Sequence, residues 1–411
     1  MERAAGFGAP ALALTDHDNL CGAVALAREA ARAGLKPIQG AEVTLEGGYH
    51  LVLLARDRRG YSNLCRILTR AHLDNPRRSP RASLEVLAAH AGGLLALSGC
   101  RRGEVPSLIL RRRFAQAEEA ARRYASVFGR DGFLLELSAD WLPGGAGLND
   151  ALAELGERLG LRTVATGNVH YDRKERFWVH DLLTCVRTLT RLEDVSPERR
   201  LNAENHLKDP GEMADALGGH RRALEETVRV ADECGPVLDL RGRLYPEFPL
   251  PPGETAEGYL RRLVLEGAAE RYRRVTPAVR ARLEHELEVI CRLGYAGYFL
   301  LVWDVARFAR EEGIRYGGRG SAADSAVAYC LRITEVDSVA RGLLFERFMS
   351  LERAEKPDID IDFDARHRDR VAEYVAGKYG RDRVAAVCTY NTFQARSAVR
   401  DLGKAMGFPA E

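Results

Sequence analysis

Apolar and polar residues alternate in two rhythms through the first part of the chain. Short apolar runs bounded by turn residues read as strands: ALALTD (11–16), KPIQGAEVTL (36–45), HLVLLARD (50–57), GLLALSG (93–99), FLLELS (133–138) and RTVATGNVHY (162–171). Between them, helical spacing runs over 21–35, GYSNLCRILTRAHL, an Arg/Ala-rich stretch over 113–127, and 148–159. Strands alternating with helices at this spacing predict an α/β fold with a largely parallel sheet or barrel. Sites in such folds gather at the C-terminal ends of strands, where TDHD, GAE, SGC and GNVHY fall.

The rhythm then changes. A helical region is expected over 175–235, and YPEFPLPPGET (245–255) reads as a Pro-rich linker. Thr255 is placed to open a long helical stretch over 256–293, followed by a helix over 296–312, a glycine-rich turn, another helix and a last strand. Tyr298, Phe299 and Trp303 follow helix-start spacing and read as core rather than as base-stacking residues.

With 411 residues, the chain is long enough for two or three domains. Its 61 Lys and Arg nearly balance 59 Asp and Glu, so net charge names no partner. The arginine runs at 111–113 and 271–274 read as solvated helix faces. The eight cysteines are scattered with no CxxC pair, which excludes zinc-finger spacing and fits buried thiols in a reduced cytoplasm. No apolar run approaches the ~20 residues of a membrane span, and the N-terminus carries no signal-peptide pattern.

Two stretches carry the chemistry. PDIDIDFD (357–364) places an aspartate at every second position. In a strand, Asp358, Asp360, Asp362 and Asp364 share one face, while Ile359, Ile361 and Phe363 bury the other. Such a face repels itself unless a cation sits on it. Mg²⁺ takes oxygen ligands, often one or two carboxylates plus substrate phosphates, and paired carboxylates can bridge two metals. The plainer alternative is a charged edge strand that blocks aggregation. About forty residues earlier, GGRGSAADS joins glycines, Arg319 and Ser321 to an expected helix start, the ingredients of a phosphate cradle. Gly318, Gly320 and Ala323 also satisfy a relaxed dinucleotide fingerprint, but the segment before them reads as helix rather than strand. A phosphate cradle beside a carboxylate pair is what nucleotidyl transfer requires.

GGRGSAADSAVAYCLRITEVDSVARGLLFERFMSLERAEKPDIDIDFD resembles the palm of the bacterial C-family replicative polymerases, the DNA polymerase III alpha subunits, and most closely their error-prone branch. LTDHDNL, GAEV, LSGCRRGEV and HLK (206–208) resemble that family's PHP (polymerase and histidinol phosphatase) domain, and AGYFLLVWDVARFAR and SAVRDLGKAMG match it too. The resemblance implies a PHP-type (β/α) barrel over 1–240, a linker over 241–256, the first part of an α+β nucleotidyltransferase-like palm over 257–388, and the start of a thumb over 389–411. It implies that Asp360 and Asp362 are the palm aspartates holding Mg²⁺. Gly318, Arg319, Gly320 and Ser321 would contact the triphosphate, joined by Arg396 and Arg400 on one helical face. The family's third catalytic aspartate lies further C-terminal, so a fragment inactive alone is expected.

The resemblance further assigns His17, Glu42, His50, Cys100 and His170 to a possible PHP metal site for Zn²⁺ or Mn²⁺, with Asp16 as ligand or supporting group. The family's His-x-His is absent near the N-terminus, and Asn168 replaces its acidic residue. The implied function is error-prone, translesion DNA synthesis in the cytoplasm on primer–template DNA from deoxynucleoside triphosphates, with a sliding clamp and mutasome proteins as further partners. The alternatives are a metal-dependent phosphoesterase or 3′–5′ exonuclease at the PHP site, and a non-catalytic DNA-binding module.

Overall fold

The computed structural model describes residues 1–238, 247–352, 357–387, 389 and 392–409. Part of the expected linker, residues 353–356 within the palm motif and Cys388 fall outside them. The chain forms two units, Met1–Leu240 with Thr392–Glu411, and Arg241–Asn391.

In the first unit, β1 (Ala11–His17), β2 (Lys36–Thr44), β3 (His50–Ala55), β4 (Leu94–Leu97), β5 (Phe133–Ser138) and β6 (Arg162–Thr166) form one sheet in sequential order. The expected alternation is present, with helices Ala23–Ala33, Arg58–Leu73, Phe114–Phe128 and Gly145–Leu159 between the strands. Helices Leu84–His90 and Glu104–Leu110 join them without having been anticipated. The direction of one strand differs from expectation. β3 runs antiparallel to both β2 and β4, while the other neighbouring pairs are parallel. The cause is local: only Leu45–Tyr49 separates β2 from β3, closed by Leu45 N–H donating to the Tyr49 carbonyl at 2.7 Å. A parallel return needs a crossover of a dozen or more residues. The sheet curls as a half barrel, consistent with the PHP-type fold, with β1 and β6 as its outer strands among the described residues.

Both faces of the sheet are apolar over most of its area. Ala41, Val43, Leu51, Leu53, Phe133 and Leu135 lie in the main core under the helices. Ile38, Val52, Leu54, Leu95, Leu134 and Val164 occupy the opposite face with Val230 and Ala231 of helix Arg221–Glu233. By the two-residue period, His17, Glu42, His50, Glu136 and Thr166 belong to this second face.

The second unit is built on helices Ala256–Arg271, Pro277–Arg292 and Ala296–Glu311. Thr255 and Thr276 cap the first two, accepting from Gly258 N–H at 3.1 Å and Val279 N–H at 3.3 Å. Leu260, Val264, Leu283, Leu287, Ile290, Phe299 and Leu300 form the core, with Tyr298 and Trp303 packed against it. Against this bundle lies a two-stranded antiparallel ladder, β7 (Tyr316–Arg319) with β8 (Asp360–Phe363). Helix Arg368–Tyr379 is tied to Ala296–Glu311 by a buried carboxylate, Asp304. Lys378 Nζ, Arg307, Tyr374 and Tyr379 all donate to it at 2.7–2.8 Å.

Candidate metal centre and nucleotidyl-transfer site

In the first unit, strand pairing sets His17 beside Glu42. The reversed β3 starts where β2 ends, so its first residue, His50, arrives at the same place. A strand start thus joins strand ends. His17 Nδ1 lies 2.8 Å and His50 Nδ1 3.0 Å from Glu42 Oε1. Ligand atoms of His17, Glu42 and His50 lie within 4.8 Å of one another. Cys100 Sγ is 3.7 Å from His50 Nδ1. Its loop closes over the strand because Gly99 has φ +82° and its α-carbon faces the His50 carbonyl; a Cβ there would stand 2.5 Å from that oxygen.

The electrostatics are those of a cation-ready cluster. Hydrogen bonds to Asp18 and Glu42 raise the His17 pKa to about 9. Burial alone would raise the Glu42 pKa, but hydrogen bonds from His17 and His50 hold it well below the usual carboxylate range. Burial pushes the Cys100 thiol up to about 12, with the Glu42 charge adding to it. Two imidazoles and a carboxylate suit Zn²⁺ or Mn²⁺.

His170 stands differently. Its Nε2 faces Asn168 Oδ1 at 3.2 Å and accepts from the Arg200 guanidinium. Desolvation of the ring, then Arg200, pushes its pKa down to about 4. The nitrogen expected to bind metal therefore already has a cation beside it. Asp16 is also used elsewhere: its Oδ2 accepts from Gly22 N–H at 3.2 Å, at the head of helix Ala23–Ala33.

Several contributors escaped the sequence reading. Asp18, turned back by φ 54°, accepts from Thr44 N–H and Thr44 Oγ1 at 2.7 Å each and lies 3.1 Å from His17 Nε2. It fixes the His17 ring, the kind of outer partner a ligating imidazole needs. Glu136 is buried in β5; burial raises its pKa to about 7, Thr166 Oγ1 donates to one oxygen at 2.6 Å, and the other has no hydrogen-bond partner among the described residues. The signal for Glu136 was present, as a lone charge inside the apolar run FLLELS.

In the second unit, β7 and β8 pair Arg319 with Asp360, Gly318 with Ile361 and Gly317 with Asp362. Arg319, Asp360 and Asp362 therefore share the open face, while Ile359 and Ile361 pack on the core. Arg319 Nη1 is 3.2 Å from Asp360 Oδ2, and its Nε donates to Asp362 Oδ1 at 3.1 Å. Gly318 fits because its α-carbon abuts the Ile333 carbonyl, 2.6 Å from where a Cβ would be. The strand is shorter than the aspartate run. Asp358 precedes it and is exposed; Asp364 follows it and pairs with Arg366 at 2.8 Å.

The helix start expected at Ser321 is displaced. Gly320–Asp324 forms a 3₁₀ turn, and the α-helix runs only Ala326–Cys330. Its first amides are already taken by buried Glu286, which accepts from Ala326 N–H and Val327 N–H at 3.0 Å and from Ser325 Oγ at 2.8 Å. A helix N-terminus attracts an anion; here the anion is internal. Arg319, Gly320 and Ser321 remain exposed on the turn itself. Arg396 and Arg400 are exposed on helix Ala395–Ala405, which belongs to the first unit, and Arg400 Nε donates to Asp401 at 3.0 Å.

Residues 1–140 match the PHP domain family, and residues 258–411 match the family described as bacterial DNA polymerase III alpha NTPase domain. Over these regions the chain is similar to the bacterial DNA polymerase III alpha family. Within it, an error-prone DNA polymerase of Symbiobacterium thermophilum is 61% identical over 422 residues, covering 98% of this chain and 39% of the relative. The error-prone DNA polymerase of Cutibacterium acnes is 42% identical, covering 99% and 37%, and the DNA polymerase III subunit alpha of Thermus aquaticus is 37% identical, covering 97% and 39%. The chain thus spans about two fifths of the length of these curated relatives. Among the described residues, no single helix is long and apolar enough to cross a membrane.

Proposed function

We propose that the second unit carries the triphosphate turn and two metal-binding aspartates of an error-prone-type DNA polymerase, acting on primer–template DNA and deoxynucleoside triphosphates. The observation that carries this reading is the common face of Arg319, Asp360 and Asp362, set by strand register beside the Gly320–Asp324 turn. The pair already holds a cationic group, so its donor chemistry fits a divalent ion. Asp360 and Asp362 would hold Mg²⁺, which supplies charge neutralisation at phosphate oxygens and activation of the attacking hydroxyl. Arg319 and the backbone around Gly320 and Ser321 orient and neutralise the triphosphate. Relatives named error-prone DNA polymerase support error-prone synthesis, and the family resemblance adds a sliding clamp and mutasome proteins as partners. Primer extension by the polypeptide the gene encodes tests the reading. Asp360→Asn should remove synthesis by at least ~100-fold, whereas His17→Ala should leave it within severalfold. Equal activity of Asp360→Asn and wild type would end the proposal.

A second reading concerns the first unit and is favoured by the His17–Glu42–His50 cluster. We propose that it binds Zn²⁺ or Mn²⁺ and supports phosphoester hydrolysis, with Asp18 and Thr44 orienting His17. Metal analysis after dialysis, on wild type and His50→Ala, tests the binding. Release of phosphate from a 3′-terminal substrate, lost in His50→Ala and kept in Asp360→Asn, tests the chemistry.

A further inference from the structure

The Asp360–Asp362 face is crowded by like charge, yet its carboxylates are not left alone. One guanidinium spans both, Nη1 on Asp360 and Nε on Asp362. This bridge is built by register, because Arg319 is the cross-strand partner of Asp360. Arg319 is also the arginine of the proposed triphosphate turn, so one side chain has two acidic claimants. Arg315, which immediately precedes β7, accepts from Asp364 N–H at 2.9 Å through its carbonyl, lines a cavity of about 250 Å³ with Arg310, Arg332 and Glu335, and makes no ion pair among the described residues. Proximity alone therefore does not account for the Arg319 geometry.

We propose that Arg319 is an internal counter-ion that a divalent cation must displace from Asp360 and Asp362. This goes beyond assigning metal to the aspartates and rests on that assignment. Without metal, the fork offsets one of the two carboxylate charges. When metal arrives, the guanidinium swings off toward solvent, where the Gly320 turn presents it to a phosphate. Arg319 is in these terms a gating residue for metal, not a metal ligand. Its two pairs are solvent-exposed, with side-chain accessibilities of 60% for Arg319 and 44% and 72% for the aspartates. Exposed pairs are individually weak, so the competition is modest, about three- to tenfold in metal affinity.

The test is Mn²⁺ binding to the full chain, read from the loss of the free-ion paramagnetic resonance signal. His17→Ala/His50→Ala is the background, so that the first unit's cluster is silent. Arg319→Ala should bind Mn²⁺ about three- to tenfold tighter than its parent, and Arg319→Gln should follow it if folding is intact by circular dichroism. Arg315→Ala should change little. The gap between Arg319→Ala and its parent should shrink as KCl rises, because ion-pair competition is screened. Unchanged or weaker binding in both Arg319 variants overturns the proposal, as does an equal gain in Arg315→Ala, which would mean a general charge effect. In those cases metal binding that disappears in Asp360→Asn shows the underlying assignment still standing. Binding indifferent to Asp360→Asn in every variant removes that assignment and the proposal with it.

Discussion

Glu286 offers the sharpest test of what holds the Gly320–Asp324 turn in place. Its carboxylate is fully buried, pairs with Arg282 Nε at 2.6 Å, and accepts from Ser325 Oγ and the amides of Ala326 and Val327. Arg282 in turn donates to the carbonyls of Leu343 at 2.9 Å and Asp324 at 3.2 Å. Glu286→Ala leaves a half-buried guanidinium without its counter-charge and two buried amides without an acceptor at once. Breaking a buried pair on one side costs about 3–5 kcal/mol. With a urea slope of roughly 2 kcal/mol/M, the unfolding midpoint of the second unit should fall by about 1.5–2.5 M. Trp303 reports it: it is the tryptophan packed in this core, while Trp141 and Trp178 are exposed and can be replaced by Phe. Because Arg282 also holds the Asp324 carbonyl, tryptic cleavage after Arg319 should accelerate below the unfolding transition. A midpoint shift under about 0.5 M at unchanged slope would refute the claim that this carboxylate anchors the turn.

Three further outcomes follow from the same geometry. Asp304→Asn should destabilise the second unit by about 3–5 kcal/mol at neutral pH. Burial would raise the Asp304 pKa, but hydrogen bonds from Lys378, Arg307, Tyr374 and Tyr379 outweigh it and hold it below the ordinary value. Its contribution is therefore complete above the unfolded value of about 3.9 and is lost as pH falls through the lower folded value, so the gap between wild type and Asp304→Asn in urea should close only below about pH 4. In the first unit, His17 holds a proton to about pH 9, and metal must expel it. Zn²⁺ affinity, measured by chelator competition, should climb with pH by up to about tenfold per unit and level off near 9; a flat profile between 7 and 9 would exclude His17 as a ligand. Asp18→Asn should lower the pH at which that climb ends, since Asp18 is the larger cause of the raised pKa.

Local patterning made most elements legible. β5 matches FLLELS and β2 differs from KPIQGAEVTL by one residue at its end, because apolar runs flanked by turn residues have few other uses. The aspartate face was legible for the same reason, since period two allows Asp360 and Asp362 no separate faces. What failed was decided by partners distant in sequence. The direction of β3 depended on the length of a connection, not on its composition. The displaced helix at Ala326 depended on Glu286, forty positions earlier and unremarkable within its own helix. Asp304 reads as one more polar residue in VWDVARFAR, yet four donors from two helices converge on it. Arg200 beside His170 had no pattern to announce it, since the two meet only through folding of the loop before Asn205.

The hairpin between β2 and β3 has a further consequence, for which sequence changes the first unit can absorb. Glu42 and His50 sit on either side of a connection of fixed length, with Thr44 opposite His50 in the ladder. Side chains on a strand alternate in facing, so gaining or losing a single residue between Leu45 and Tyr49 either re-forms the turn or rotates His50 to the wrong side. Glu46 can drift, but Gly47 and Gly48 hold φ of +86° and +79°, which other side chains adopt only with strain. Length and the two glycines are together what descent must preserve here, and homologues with longer connections should change them in ways that leave Thr44 and His50 paired.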